Sequence, residues 1–331
     1  MWRATGLAIL LIGMISFSVG YVLADARPSA PAPKPAATVA QAPKPAATVA
    51  PVLAVAEVSP PSDSAIGPPP VATAAPVPAH PAFDVLARKV GALIAASGGP
   101  VGVSLVELGG VAPTTWDLGG STRIDAASTY KLPALIEEGQ LVAQGSLNPA
   151  GRVCFTDRDW EDGWFDDYST GRCYTRTDLA ERAGLYSDNT AGHMLVRDLG
   201  GAAALNSYAA SLGARNSIFF DSNVTTANDL ARLMTVEATG GAGGAGAQAW
   251  LYPQLTGTRF EQGIPAGVPA GTLVVHKTGE LAPVVDDAAI ISGGPNGPYV
   301  LAVMTDGPDG NLAWPVIAQI SAAVWSFEAA R

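Results

Sequence analysis

Ser128 and Lys131, three positions apart, are the residues whose types and spacing could support nucleophilic catalysis. If this stretch is helical, both side chains lie on one face, about one turn apart. The lysine amine could then take the proton that the serine hydroxyl loses as it attacks. A serine in the first helical turn also lies beside backbone N–H groups that can stabilise an oxyanion. By itself, the Ser-x-x-Lys pattern is equally typical of an ordinary surface helix.

Two tripeptides further along the chain favour the catalytic interpretation. Ser187–Asn189 reads Ser-Asp-Asn and lies between two helical patterns. Lys277–Gly279 reads Lys-Thr-Gly and closes an apolar run that is typical of a buried strand. The three patterns in this order are the signature of class A β-lactamases and penicillin-binding proteins. The chain from about residue 81 to 331 therefore resembles the serine β-lactamase and D,D-peptidase superfamily, and is most similar to class A β-lactamase-like enzymes.

The resemblance implies a role for each matching residue. Ser128 would be the acylated nucleophile, Lys131 its activating base, and Ser187 the relay that passes a proton to the leaving nitrogen. Lys277 and Thr278 would bind the carboxylate that penicillins and D-Ala-D-Ala peptides share. A cationic lysine beside a hydroxyl suits such an anionic substrate.

Three further residues complete the predicted site. Asn189 would hold both the substrate amide and Lys131. The backbone N–H groups of Ser128 and Glu280 would form the oxyanion hole. Gly279 has no side chain, so a substrate can approach its backbone closely. We expect neither a metal ion nor an organic cofactor.

The chain departs from the class A pattern in segment 212–226. Class A enzymes carry a Glu-x-x-Leu-Asn motif there, whose glutamate activates the water that hydrolyses the acyl-enzyme. This segment has no glutamate, and Asp221, its one carboxylate, also suits an ordinary turn. In addition, Tyr299 stands near the position where many class A enzymes have a carboxylate-binding arginine. We therefore expect acylation with slow β-lactam turnover.

Three functions remain open at this point. The first is β-lactam hydrolysis through an acyl-enzyme on Ser128. The second is a D-Ala-D-Ala carboxypeptidase, or penicillin-binding protein, that acts on peptidoglycan. The third is a non-catalytic module that binds β-lactams or the cell wall. A complete set of nucleophile, base and relay residues favours an enzyme over the third.

Predicted strands lie at both ends of the domain and predicted helices fill its middle. This order implies an α/β (α+β) fold, in which an antiparallel sheet is flanked by the N- and C-terminal helices and an all-helical lobe is inserted. We expect the site in the cleft between sheet and lobe. His193 is predicted to be a helix residue with a local hydrogen bond, and His276 to face away from Lys277. The predicted helices are 82–97, 128 to about 138, 177–185, 190–199, 202–212, 226–237 and 312–329, the predicted strands are 101–107, 114–118, 271–276, 286–292 and 299–305, and 240–246 is predicted to be a loop.

The two cysteines, Cys154 and Cys173, have no second pair and no nearby histidine, which argues against a zinc site. A disulfide formed outside the cytoplasm is the favoured interpretation, and two buried free thiols are the alternative. The stretch between them is rich in acidic and aromatic residues. It is predicted to be a solvated loop, or alternatively a wall of the cleft where Trp160 or Trp164 stacks on substrate.

The N-terminal quarter of the chain has a different composition. Residues 1–26 are predicted to be a signal peptide or a membrane anchor, because 4–24 are almost wholly apolar. Residues 27–80 are rich in proline and alanine and contain a direct repeat, which is typical of an extended linker. The folded domain is expected to span 81–331. These features predict an extracytoplasmic protein.

The overall charge excludes one class of partner. The chain of 331 residues has 19 basic and 29 acidic residues, for a net charge of −10. No cluster of Lys and Arg is present in the sequence, so a nucleic-acid partner is not expected. We expect a monomer that acts on a small-molecule or peptide substrate.

Overall fold

The computed structural model describes residues 81–110, 112–307 and 310–331. The predicted signal peptide or anchor (1–26) and the predicted linker (27–80) lie outside the described residues. Within the described ranges, no helix combines the length and the apolar character that crossing a bilayer requires.

The strands and helices follow the order that the sequence predicts, with a helical region between two sets of strands. The strands are β1 (Val101–Glu107), β2 (Thr114–Leu118), β3 (Ile124–Asp125), β4 (Arg152–Cys154), β5 (Cys173–Thr175), β6 (Val224–Thr225), β7 (Val274–Leu281), β8 (Val284–Ile291) and β9 (Tyr299–Asp306). The helices are α1 (Pro81–Ser97), α2 (Lys131–Ala143), α3 (Arg176–Leu185), α4 (Asn189–Asp198), α5 (Ala202–Ser211), α6 (Ala227–Ala238), α7 (Gly244–Leu251) and α8 (Gly310–Ala329). Short 3-10 turns cover Ala127–Tyr130, Tyr252–Leu255 and Ile264–Gly267.

A five-stranded antiparallel sheet joins the two ends of the domain, in the order β2-β1-β9-β8-β7. Helices α1 and α8 cover one face, where Leu86, Val90 and Ile317 are buried. Helix α6 and the rest of the helical lobe cover the other face. The predicted fold is therefore confirmed, and β7, which carries Lys277, is an edge strand.

Helix α2 lies at the centre of the helical lobe and contacts α3, α4, α5 and α7. Leu132, Leu135 and Ile136 are fully buried, which is the i, i+3, i+4 spacing of an apolar helix face. The neighbouring helices begin at clear caps. The Thr175 side chain accepts a hydrogen bond from the backbone N–H of Asp178 at α3, and Asp188 caps α4.

The structure differs from the sequence prediction in a few elements. Helix α2 continues to Ala143, five residues beyond the predicted end. Helix α7 begins at Gly244, inside the stretch predicted to be a loop. Small residues on both helices allow α7 to pack closely on α2. Gly139 of α2 lies against the backbone of Ala247 of α7. The predicted disulfide between Cys154 and Cys173 is present and joins β4 to β5.

Candidate active site

Ser128 lies in the 3-10 turn that leads into α2, and Lys131 is the first residue of that helix. The Lys131 amine donates a hydrogen bond to the Ser128 Oγ at 2.7 Å. It also donates to the backbone O of Ser187 at 3.0 Å and to the Oδ1 of Asn189 at 2.8 Å. Burial lowers the pKa of Lys131 to about 7, against the opposing charge of Glu161. This amine can therefore lose its proton near neutral pH and accept the one from Ser128.

Helix α4 reaches Lys131 because it carries a glycine at the contact. A Cβ atom on Gly192 would lie 2.6 Å from the Cε of Lys131 and 2.9 Å from the Tyr130 hydroxyl. A larger residue would push α4, and Asn189 with it, away from the lysine. The close approach depends on the missing side chain.

Ser187 lies in the turn between α3 and α4, and its hydroxyl faces the second lysine. The Lys277 amine donates to the Ser187 Oγ at 2.9 Å and to the backbone O of Thr278 at 2.7 Å. Lys277 is only 1% exposed, and burial lowers its pKa well below the ordinary value, as does the charge of Lys131. Lys277 therefore contacts the Ser187 hydroxyl from the protein interior and can hold that hydroxyl in place.

The edge strand β7 meets the nucleophile turn at Gly279. A Cβ atom there would lie 2.8 Å from the Ala126 carbonyl oxygen and 3.2 Å from the Ser128 nitrogen. Glycine at this position thus lets the strand backbone contact the backbone of the nucleophile. Thr278 is buried, and Glu280 is exposed at the rim of the cleft.

Left-handed backbone conformations concentrate around this site. Among the described residues, the non-glycine positions with positive φ are Ala127 (41°), Ser187 (58°), Phe220 (75°) and Asn223 (48°). Such conformations are unfavourable for residues with a side chain and are typical of functional sites. The Asn223 side chain holds one of them, since its Nδ2 donates to the Ala127 carbonyl at 3.0 Å.

A cleft of about 360 Å³ opens over Ser128. The structure thus brings the three predicted patterns together between the sheet edge and the helical lobe. Asp221 is exposed and does not line this cleft. The lining is formed by Ala127, Ser128, Tyr130, Glu161, Asn189, His193, Phe220, Asn223, Glu280 and Leu281.

Glu161 is a lining residue that the sequence did not single out. It belongs to the cysteine loop, which we define as residues 155–172 between β4 and β5. The Asn189 Nδ2 donates to the Glu161 Oε1 and to the Asp162 carbonyl, both at 3.0 Å. Because both amide hydrogens of Asn189 are used in this way, a substrate amide that accepts from Asn189 must replace one of these bonds. The cysteine loop is therefore a wall of the cleft.

A second, wider depression adjoins the rim at Glu280 and is also bounded by the cysteine loop. Trp164 lines it and is about half exposed. The Arg259 guanidinium lies 4.3 Å from the centre of the Trp164 ring. This cation–π contact holds the Trp164 ring in place. No sequence pattern had pointed to Arg259 as a residue of this site.

The two predictions about His276 and Tyr299 have different outcomes. His276 faces away from Lys277 and is fully buried, with its Nδ1 2.9 Å from the Asp287 Oδ1. Tyr299 is also fully buried, in the apolar cluster beneath α1 and α8. It pairs with Ile291, far along the strand from the partners of Lys277–Gly279. The placement of Tyr299 near the carboxylate site was wrong, because strand register puts it at the opposite end of the sheet.

The comparison with known families agrees with this geometry. A family model described as the beta-lactamase enzyme family (Beta-lactamase2) matches residues 85–327, well over half of the chain. The chain belongs to the β-lactamase enzyme family. It is a serine β-lactamase-like hydrolase by fold and by family. No curated protein sequence matches it.

Solved structures that are similar to this chain include PBP-A and β-lactamases. PBP-A is 27% identical, with a TM-score of 0.68, and the match covers 73% of this chain and 95% of that one. A β-lactamase from Sphaerobacter thermophilus is 29% identical, with a TM-score of 0.67, covering 74% and 98%. A mutant of PBP-A, solved as an acyl-enzyme complex with penicillin G, is 26% identical, with a TM-score of 0.68, covering 74% and 96%.

Proposed function

We propose that this member of the β-lactamase family forms an acyl-enzyme on Ser128 with β-lactams and hydrolyses it slowly. The observation that carries the proposal is the 2.7 Å contact between the Ser128 Oγ and the buried Lys131 amine at the floor of an open cleft. The penicillin G complex of the PBP-A mutant supports a β-lactam as the acylating compound.

The geometry supports acylation of Ser128 by the lactam. The Ser128 Oγ bonds to the lactam carbonyl carbon while its proton passes to the neutral Lys131 amine. Negative charge then develops on the carbonyl oxygen, beside the backbone N–H groups of Ser128 and Glu280. The C–N bond breaks, and the proton that Lys131 took from Ser128 passes to the leaving nitrogen through the Ser187 hydroxyl, which the Lys277 amine holds at 2.9 Å. Lys131 is then neutral again.

A second candidate is a D-Ala-D-Ala carboxypeptidase that acts on peptidoglycan peptides. Two observations favour it: segment 212–226 has no glutamate, and PBP-A is among the similar structures. The same acylation chemistry serves both substrates, because each presents an amide carbonyl near a carboxylate. The two candidates differ in the fate of the β-lactam acyl-enzyme, which a β-lactamase hydrolyses and a penicillin-binding protein retains.

Incubation of the protein with benzylpenicillin tests the proposal, with intact mass and ring opening followed together. We expect a mass increase equal to one penicillin on the wild type and no increase on the Ser128→Ala variant. Slow decay of the adduct with release of ring-opened product supports the hydrolase, whereas an adduct that persists supports the peptidase. A wild type that gives no adduct and no ring opening would contradict both candidates.

A further inference from the structure

Hydrolysis of an acyl-enzyme needs a base that removes a proton from water, and the usual segment supplies none here. Segment 212–226 has no glutamate, and its Asp221 is exposed and lies outside the cleft lining. Two carboxylates do line the cleft around Ser128, those of Glu161 and Glu280. Glu280 belongs to the strand end whose backbone faces the nucleophile turn, so Glu161 is the carboxylate on the helical side of the cleft.

Glu161 is held in place by its backbone as well as by its side chain. Its N–H donates to the Thr190 Oγ1 at 3.0 Å, and the same hydroxyl donates to the Glu161 carbonyl at 2.8 Å. Asp188 anchors the next part of the loop, because its Oδ2 accepts from the Trp164 N–H at 3.0 Å. Thr190 and Asp188 are both buried. These contacts hold the backbone of Glu161 against helix α4.

The two carboxylate oxygens of Glu161 have different partners. Oε1 accepts from the Asn189 amide at 3.0 Å, and that amide's oxygen faces the Lys131 amine at 2.8 Å. Oε2 lies 2.9 Å from the Nε2 of His193, which is one helical turn beyond Asn189 on α4. Each carboxylate oxygen has a further lone pair that can accept from a water molecule in the cleft.

We propose that Glu161, supported by His193, activates the water that hydrolyses the Ser128 acyl-enzyme. This inference rests on the proposed function. Glu161 takes one proton of the water while the water oxygen bonds to the ester carbonyl carbon. The C–Oγ bond then breaks, and the neutral Lys131 amine passes the proton that Glu161 took on to the Ser128 Oγ. Glu161, Lys131 and Ser128 are then as they began, with one water consumed and one carboxylic acid released.

His193 acts as a positioning residue in this scheme. Burial lowers its pKa below the ordinary value for imidazole, against the opposing charge of Glu161. The other charged groups that face it are Lys131, which lowers the pKa further, and Asp159, which raises it. The Tyr130 and Phe220 rings pack against the imidazole and limit its access to water. Near neutral pH the ring is therefore uncharged, and the negative charge of Glu161 remains available for water.

The test uses benzylpenicillin and the full chain, and separates formation of the adduct from its decay. Adduct formation is followed by intact mass, and decay is followed after excess penicillin is removed. For Glu161→Gln we expect decay about 100-fold slower, as for loss of a general base, with the formation rate within about threefold of wild type. Asp221→Asn is the matched control, because its carboxylate is exposed, and it should decay at the wild-type rate.

A pH profile distinguishes a chemical role from a structural one. Wild-type decay should rise with pH as His193 loses its proton and then level off, whereas decay of the Glu161→Gln adduct should lose this rise. His193→Asn should shift the profile, and its decay rate is compared with its own rate of adduct formation. The wild-type profile needs no substitution, so it tests the proposal even if a variant fails to fold.

Failure of the role proposed for Glu161 can be distinguished from failure of the proposed function. If the wild type forms the adduct and Glu161→Gln decays at the wild-type rate, the role of Glu161 is refuted while the proposed function stands. If Glu161→Gln slows formation and decay equally, Glu161 only positions Asn189 and Lys131, which also refutes it. If the wild type forms no adduct, the proposed function fails first.

Discussion

Two buried lysines share one small site, and this fact controls the proton chemistry of the cleft. Lys131 and Lys277 are each only 1% exposed. Burial disfavours the charged form of both, and the charge of Lys131 further lowers the pKa of Lys277. A neutral Lys131 is the form that can take the Ser128 proton. The Ser128 Oγ accepts from Lys131, and the Ser187 Oγ accepts from Lys277.

The pKa of Lys131 leads to a prediction about acylation. Below its pKa of about 7 the amine is protonated and cannot accept a proton, so acylation should be slow. The acylation rate constant with benzylpenicillin should therefore rise as the pH increases through about 7 and then level off. Intact-mass kinetics across the neutral range measure this rate. A profile that is flat below neutral pH would rule out Lys131 as the base.

Individual residues were predictable where a short pattern carries them. Ser128, Lys131, Ser187 and Lys277 form one connected set of hydrogen bonds, although they come from a turn, a helix, a loop and an edge strand. Glu161 was not predictable, because its place in the cleft depends on hydrogen bonds to Thr190 on another element. The sequence showed only an acidic stretch between two cysteines, without any sign of which acid faces inward.

The structure of the cysteine loop could not be predicted from its local sequence, although the loop forms a wall of the cleft. It has no helix or strand between β4 and β5. Its position comes from the disulfide at its base, from Asp188 and Thr190, and from Asp167, which pairs with Arg182 on α3 at 2.6 Å. A loop fixed by contacts of this kind has no periodic signal that sequence reasoning can detect.

Loss of the disulfide should therefore destabilise this element. The bond closes a loop with a sequence separation of 19, which should contribute about 3 kcal/mol to the free energy of unfolding. The Cys154→Ser/Cys173→Ser double variant should unfold at a correspondingly lower urea concentration and still form the Ser128 adduct, because that residue lies outside the loop. A reducing agent should destabilise the wild type and leave the double variant unchanged. Equal unfolding midpoints for the oxidised wild type and the double variant would contradict this.

The helices and strands divide by how they are stabilised. Those with an apolar stripe or an apolar run, such as α1, α6, β1 and β9, were predicted to within a residue or two at each end. Helix α7 was missed because its glycines and alanines have no such stripe and pack on α2 through close backbone contact. The two-residue strands β3 and β6 were missed because so short a pairing is a product of the fold.

At the scale of the whole molecule, the cleft exists only because both lobes are complete. The sheet supplies β7 with Lys277 and Gly279, and the helical lobe supplies Ser128, Lys131 and Ser187. Segments from both ends of the described domain make the sheet, since β1 pairs with β9. The integrity of the site therefore depends on helices α1 and α8, which lie on the face away from the cleft.

Two truncated chains test this dependence. A chain that begins at Pro81 keeps both apolar clusters, so it should have the melting temperature of the full chain and form the penicillin adduct at the same rate.

A chain that begins at Gly98 lacks α1, and therefore loses Leu86 and Val90, which are 1% and 0% exposed. Each such side chain contributes about 1.5–3 kcal/mol, and the apolar face of β1 would be opened to water as well. Since a domain has roughly 5–15 kcal/mol of stability in total, the shorter chain should fail to fold or melt far below the longer one. Thermal unfolding by circular dichroism measures both, and equal melting temperatures would show that the sheet does not need α1.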